Sequence, residues 1–310
     1  MPTIAFVGYG LEYLAMAANA ARGLRENSPG TRSLCITNVP VEATHLSTYF
    51  DEVIYRDEPD SMNRLAKVRA IHDIEDESGG FIDSDVEIIG DLAPLFRMLE
   101  RFDLLIHTAR LPTKFTFFID EGLPSVLFPQ FYGGFLFFRR NPQVRRLFAT
   151  WESRLVQSGI RRDQPSLQRA VWDHPEVSLL PLNTVWGAVG DEYDHHRDLK
   201  REPVRIFHYG DVSADTDILN RVSAVLEDLT PHLPPAYLEL EASRTTLRRF
   251  AALNSPALRW ALTSPRLDAV WRFSAHLVPR RLLSIRRKHD RAAGEDHSGG
   301  RDLWRDEELG

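Results

Sequence analysis

The sequence predicts an α/β fold: a mixed, mainly parallel sheet flanked by helices, followed by a helical appendage at the C-terminal end. Two observations carry that expectation. From Thr3 to about residue 212, short apolar runs alternate with segments of helical spacing, the pattern of strands joined by helical crossovers. After about residue 216 the pattern changes to helical stretches separated by Pro231, Pro234-Pro235, Pro256, Pro265 and Pro279. Each proline marks a boundary, because it disfavours helix in the residue before it. The expected organisation is an α/β unit over 1–215, a basic helical region over 216–288 and a flexible tail over 289–310, where Ala-Ala-Gly-Glu-Asp-His-Ser-Gly-Gly has too few apolar residues to pack.

The elements follow in order. Thr3–Val7 is an apolar strand that ends at Gly8-Tyr9-Gly10, and Leu11 to Leu24 is a helix that stops near Asn27-Ser28-Pro29-Gly30. Ser33–Thr37 and Glu52–Tyr55 read as strands. Ser61–Ile74 reads as a helix, since Met62, Leu65, Val68 and Ile71 recur three or four residues apart. Phe81-Ile82 is a short strand, Leu92–Arg101 a helix, Leu104–His107 and Gly134–Phe138 strands, and Val144 to Ser158 and Gln164 to Trp172 helices. Two short strands are expected near Val177–Leu180 and Val204–His208.

Composition excludes several classes. The chain has 310 residues, 43% hydrophobic and 26% charged, which are ordinary globular values and not those of collagen-like or disordered chains. Cys35 is the only cysteine, so no internal disulfide or cysteine-rich zinc module can form, as suits a reducing compartment. The first residues lack the basic and then apolar pattern of a signal peptide. No run approaches the roughly 18 apolar residues of a membrane span, so a cytoplasmic location is expected.

Charge is unevenly spread. Residues 1–240 carry 24 basic and 35 acidic side chains, whereas 241–290 carry 11 basic and 3 acidic. In that end, Phe250, Trp260, Trp271 and Phe273 are interleaved with arginines. Two readings stand: a helical layer packed on the α/β unit with its arginines solvated, or peripheral association of 241–288 with the anionic inner face of a membrane. Nucleic acid is not expected, because the remaining chain is acidic.

The sharpest chemical feature is Phe81-Ile82-Asp83-Ser84-Asp85. Carboxylates two residues apart at a strand end point to the same side and offer hard oxygen ligands suited to Mg²⁺ or Mn²⁺. An Asp-x-Asp triplet is also an ordinary polar turn. His208, at the end of an apolar run, is either a structural histidine or a further ligand. Asp163 precedes Gln164-Pro165 and suits a helix cap. Lys67 reads equally as a solvated helix lysine, and Tyr13 as an aromatic at the core's edge. His195-His196 lies among acids in a turn-rich loop.

Phe81-Ile82-Asp83-Ser84-Asp85-Val86-Glu87-Ile88-Ile89-Gly90-Asp91-Leu92 resembles the Asp-x-Asp segment of GT-A glycosyltransferases, most closely family 8, the group of glycogenin and the lipopolysaccharide glucosyl- and galactosyltransferases. Other segments fall in that family's order. Ile4 to Leu14 is similar to its first strand and turn, which implies nucleoside contacts from Val7, Gly8, Tyr9 and the Tyr13 ring. Lys67 matches a basic residue near the nucleotide sugar, and Asp163-Gln164 matches an Asp-Gln pair beside the transferred sugar. Gly133-Gly134-Phe135 is similar to the strand lining the donor sugar, although Tyr132 stands where asparagine is usual. Ile206-Phe207-His208-Tyr209-Gly210 is similar to a late strand whose histidine completes the metal shell and whose glycine approaches the diphosphate, without the family's Lys-Pro-Trp.

The resemblance covers about residues 3–212. It implies a GT-A-like nucleotide-sugar-binding catalytic domain over 1–215 that transfers a sugar from a nucleotide diphosphate sugar to an unknown acceptor (glycan, lipid or protein) with retention. It further implies Mn²⁺ or Mg²⁺ held by Asp83, Asp85 and His208, with Ser84 at the donor and Asp163 and Gln164 at the catalytic centre. A non-catalytic nucleotide-sugar binder or scaffold of the same fold is the alternative. A weaker one is an NAD(P)-binding oxidoreductase, suggested by Gly8-x-Gly10. Tyr13 occupies its third glycine position, and no acidic residue follows the second strand.

Overall fold

The structure is a computed structural model that describes residues 1–108, 123, 130–159, 163–189, 203–209 and 216–238. Gly210, His195-His196, the basic stretch 241–288 and the tail 289–310 lie outside the described residues. The strands are β1 (Thr3–Gly8), β2 (Arg32–Thr37), β3 (Glu52–Tyr55), β4 (Ser78–Ile82), β5 (Val86–Ile88), β6 (Leu104–Thr108), β7 (Phe131–Arg139), β8 (Leu179–Leu182), β9 (Ala188–Val189) and β10 (Ile206–His208). The helices are α1 (Leu11–Asn27), α2 (Ala43–Leu46), α3 (Asn63–Asp73), α4 (Ala93–Met98), α5 (Pro142–Gln157), α6 (Asp163–Asp173) and α7 (Thr216–Leu229).

Seven strands form one sheet in the order β3-β2-β1-β4-β7-β6-β8. All run in one direction except β7, which is antiparallel to both β4 and β6. The expected mixed, mainly parallel sheet is therefore present. The reversed β7 separates this sheet from the all-parallel order of dinucleotide-binding folds. A second sheet, β5-β10-β9, stands beside it.

Both faces of the main sheet are covered, and strand alternation decides which residue goes where. Ile4, Phe6, Ile82, Phe135 and Phe137 share one core with α1, the small sheet and α7. Ala5, Val7, Phe81, Leu136 and Phe138 share the other with α3, α5 and α6. Helix α7 packs on α1, and its Ile218, Val222, Val225 and Leu229 belong to the first core. The helix beyond residue 215 is thus joined to the sheet by a continuous apolar contact.

At the end of β1 the chain turns at Gly10, whose φ of 83° suits glycine. The Gly10 N–H donates to Asn38 Oδ1 (2.8 Å), which ties the start of α1 to the end of β2. Among the described residues no helix is long and apolar enough to cross a membrane.

Candidate metal centre

Asp83-Ser84-Asp85 is the crossing from the main sheet to the small one, between β4 and β5. Three hydrogen bonds set its path. The Asp83 N–H donates to the Gly134 carbonyl (2.8 Å), extending the β4–β7 pairing by one residue. The Ser84 hydroxyl turns inward and donates to the Val7 carbonyl (2.6 Å) at the end of β1. The Tyr209 N–H donates to the Asp85 carbonyl (3.1 Å). With Ser84 facing the core, alternation leaves both carboxylates on the opposite side.

His208 arrives from the second sheet. Its antiparallel pairing with Val86 places the imidazole beside Asp85, with Nε2 3.1 Å from Oδ2. The ligand atoms of Asp83, Asp85 and His208 lie within 4.8 Å of one another. Burial alone would lower the His208 pKa, but the hydrogen bond and charge of Asp85, with Asp83 behind, outweigh it and raise it. Two carboxylates and an imidazole form a donor set that fits Mn²⁺ and accommodates Mg²⁺.

Tyr132, from β7, closes this group. Its hydroxyl donates to Asp83 Oδ2 (3.0 Å) and lies 3.2 Å from His208 Nε2. Burial first, then the charges of Asp83 and Asp85, hold the phenol pKa well above its usual value. The group remains a neutral donor.

On the other side of Asp83 stands Lys67, from α3. Its Nζ lies 2.9 Å from Asp83 Oδ1 and 2.9 Å from Asp163 Oδ2. It also sits 5.4 Å from the centre of the Phe81 ring. Burial alone would lower the Lys67 pKa, yet the two carboxylates outweigh that and raise it. Burial alone would raise the Asp163 pKa, and Lys67 reverses the sign. Asp163 opens α6, and its carbonyl accepts the Trp151 indole N–H (2.9 Å). Three carboxylates thus share one ammonium and one imidazole.

The sequence-predicted residues divide. Asp83, Asp85, Lys67, Asp163 and His208 converge, whereas the Ser84 hydroxyl, expected at the donor, faces the core on the opposite side and is taken up by the Val7 carbonyl. Gly134 belongs with them, because a side chain there would overlap the Asp83 carboxylate and the Tyr132 ring. Val7 takes part through its carbonyl. Gly8 packs under Leu14 of α1. Tyr9 is buried, its hydroxyl donated to Glu58 Oε2 (2.6 Å), so only its backbone is free to face a ligand. Tyr13 is 43% exposed; burial first, then Glu12, Asp85 and Asp83, raise its pKa. Gln164 Oε1 accepts from Gln130 (3.4 Å). Gly133 faces the other way, over Leu167 and Trp151 in the core.

Sequence reasoning passed over one neighbour. His107 of β6 is 5% exposed, and neither ring nitrogen has a hydrogen-bond partner among the described residues. Its ring meets Tyr132 and Phe135 edge-on. Burial, with His208 nearby, lowers its pKa to about 4. The available signal was a histidine inside an otherwise apolar strand, beside a break in register at Ile106/His107.

No family model matches the chain, and no curated protein matches it in sequence. Solved structures do match in fold. The galactosyltransferase LgtC, solved with donor and acceptor sugar analogues, is 14% identical, with 76% of this chain and 99% of that one aligned and a TM-score of 0.52. The glycosyltransferase GlyE of Streptococcus pneumoniae TIGR4 is 10% identical, with 73% of this chain and 62% of that one aligned and a TM-score of 0.51. The chain therefore has the GT-A glycosyltransferase fold.

Proposed function

We propose that this chain is a metal-dependent glycosyltransferase that moves a sugar from a nucleotide diphosphate sugar to a glycan, lipid or protein acceptor, with retention at the anomeric carbon. The convergence of Asp83, Asp85 and His208, with ligand atoms within 4.8 Å, carries the proposal. It lies at the crossing from one sheet to the other in a fold shared with glycosyltransferases.

Asp83, Asp85 and His208 would hold Mn²⁺ or Mg²⁺. When bound, the ion supplies Lewis-acid neutralisation of the departing nucleoside diphosphate. The remaining work belongs to the chain itself. The exposed face of Tyr13 and the backbone of Val7, Gly8 and Tyr9 would hold the nucleoside at the end of β1. Ser84 holds the Asp83-Ser84-Asp85 turn against that strand. Gly134, and Gly210 by resemblance, leave room for close approach of the donor. Lys67 keeps Asp163 ionised, and Asp163 with Gln164 orients the sugar and steadies positive character at the anomeric carbon as the bond to phosphate breaks.

The experiment is a thermal-shift and turnover screen of nucleotide sugars with and without Mn²⁺, on the wild type and Asp85→Asn. A ligand bound only by the native state raises stability by mass action, about 2.7 kcal/mol at one hundred times its Kd. The expected result is a Mn²⁺-dependent shift with one donor, accompanied by transfer or donor hydrolysis, and loss of both in Asp85→Asn. Tight donor binding without turnover on a broad acceptor panel would assign the chain to non-catalytic binders. Unchanged turnover in Asp85→Asn would remove that residue from the mechanism.

A further inference from the structure

We infer that Tyr132 is a positioning residue of the candidate metal centre, tying the Asp83 carboxylate of one sheet to the His208 imidazole of the other. The inference rests on the metal reading above and deepens it. Asp83 follows β4 of the main sheet, whereas His208 ends β10 of the small sheet. No backbone pairing joins those two strands. The Tyr132 hydroxyl touches both side chains, 3.0 Å from Asp83 Oδ2 and 3.2 Å from His208 Nε2.

The spacings are informative. Tyr132 to Asp83 is 3.0 Å, Tyr132 to His208 is 3.2 Å, and His208 to Asp85 is 3.1 Å. These are hydrogen-bond separations, and they link the four groups into one chain in which the Tyr132 hydroxyl joins the Asp83 carboxylate to the His208 imidazole.

The ring itself is held firmly. It packs against the edges of His107 and His208, at centroid distances of 6.2 and 5.6 Å, and against Phe135 at 5.5 Å. Gly134, the residue of β7 opposite Asp83, leaves the gap through which hydroxyl and carboxylate meet. Without the hydroxyl, Asp83 keeps Lys67 as its side-chain partner and is drawn toward α3, away from His208. Groups that orient ligands in this way are worth 10–100-fold in metal affinity.

The test is Mn²⁺ titration of the full chain, without nucleotide, followed by the electron paramagnetic resonance signal of free Mn²⁺. Wild type, Tyr132→Phe and Asp85→Asn are compared. Tyr132→Phe removes one oxygen and keeps the ring. Its Kd for Mn²⁺ is expected to rise 10–100-fold, while its melting temperature in EDTA stays close to that of the wild type. The Mn²⁺-induced rise in melting temperature compares each variant with its own metal-free form, so it reads the site even if the phenylalanine variant is less stable. A Kd within threefold of wild type in Tyr132→Phe, with binding lost in Asp85→Asn, overturns the role of Tyr132 and leaves the metal reading standing. Absence of Mn²⁺ binding by the wild type overturns both.

Discussion

Two regions meet at Asp83, and they handle charge in opposite ways. On the side of α3 and α6, Lys67 is held between Asp83 and Asp163 at 2.9 Å from each, so buried acids have a buried base. On the side of the small sheet, Asp85, His208 and Tyr132 gather donor atoms around Asp83 Oδ2. The first region is closed electrostatically by the chain itself. The second is the candidate cation site of the proposed function. One carboxylate, Asp83, serves both, with Oδ1 turned to Lys67 and Oδ2 to Tyr132.

The comparison breaks most visibly at Lys67. Lys67→Met keeps the apolar stem and removes the ammonium, which leaves two carboxylates unpaired in a site where each is less than one-fifth exposed. Removing one partner of a buried pair costs about 3–5 kcal/mol, and a loss of that size is expected in urea unfolding of the metal-free protein. Asp85→Asn removes the partner of His208, an imidazole that carries charge only below its raised pKa, so at alkaline pH, with the ring neutral, it is expected to change metal-free stability by less, about 1 kcal/mol. Equal losses from the two substitutions would erase the distinction between the regions.

His107 sharpens the comparison by pH. Its folded pKa of about 4 lies below the unfolded value of about 6.5, so the fold favours the neutral ring. That contribution is fully present above pH 6.5 and is lost as pH falls toward 4. It is worth about 3 kcal/mol at about 1.4 kcal/mol per pKa unit. His208 runs the other way, since its raised pKa gives stability that is present at low pH and lost as pH rises through the folded value. His107→Phe keeps the edge-on ring contacts and isolates the first effect. Its unfolding free energy is expected to fall less than that of the wild type between pH 6.5 and 4. Parallel curves would show that the buried ring is not the source of acid lability.

How much of this was legible in the sequence follows from what each feature depends on. Strands β1 and β2 lie inside the sheet, and their residues are buried almost throughout, so apolar runs alone revealed them. Asp83 and Asp85 were legible because two residues at a strand end need only alternation to point together. Strand β5 was not, because Val86–Ile88 is three residues long and is defined by pairing with β10, far along the chain. Lys67 has an address that helical spacing does contain: it precedes Ala70 and Ile71, both buried, by three and four residues, on their face of α3. Its partner Asp163 arrives only when α6 packs beneath the sheet. Tyr132 stood out in sequence as a departure from asparagine, and its contact with Asp83 and His208 emerges only where two sheets meet.

The smallest effect tests whether the turn or its side chains hold the open region in place. The Ser84 hydroxyl is 6% exposed with its residue and donates to the Val7 carbonyl. Ser84→Ala removes that bond and leaves the carbonyl with one partner fewer, a loss of about 1 kcal/mol in unfolding free energy. The neighbouring carboxylates are fixed by other means. The Asp83 N–H remains on Gly134, the Asp85 carbonyl remains under Tyr209, and the β5–β10 pairing still delivers His208. Mn²⁺ affinity is therefore expected to stay within about twofold of wild type, since a hydroxyl bonded into the core adds no donor to the ion. A large loss of affinity with unchanged stability would mean that Ser84 orients the two acids directly, and that the backbone bonds on either side of it are too weak to hold the ligand geometry alone.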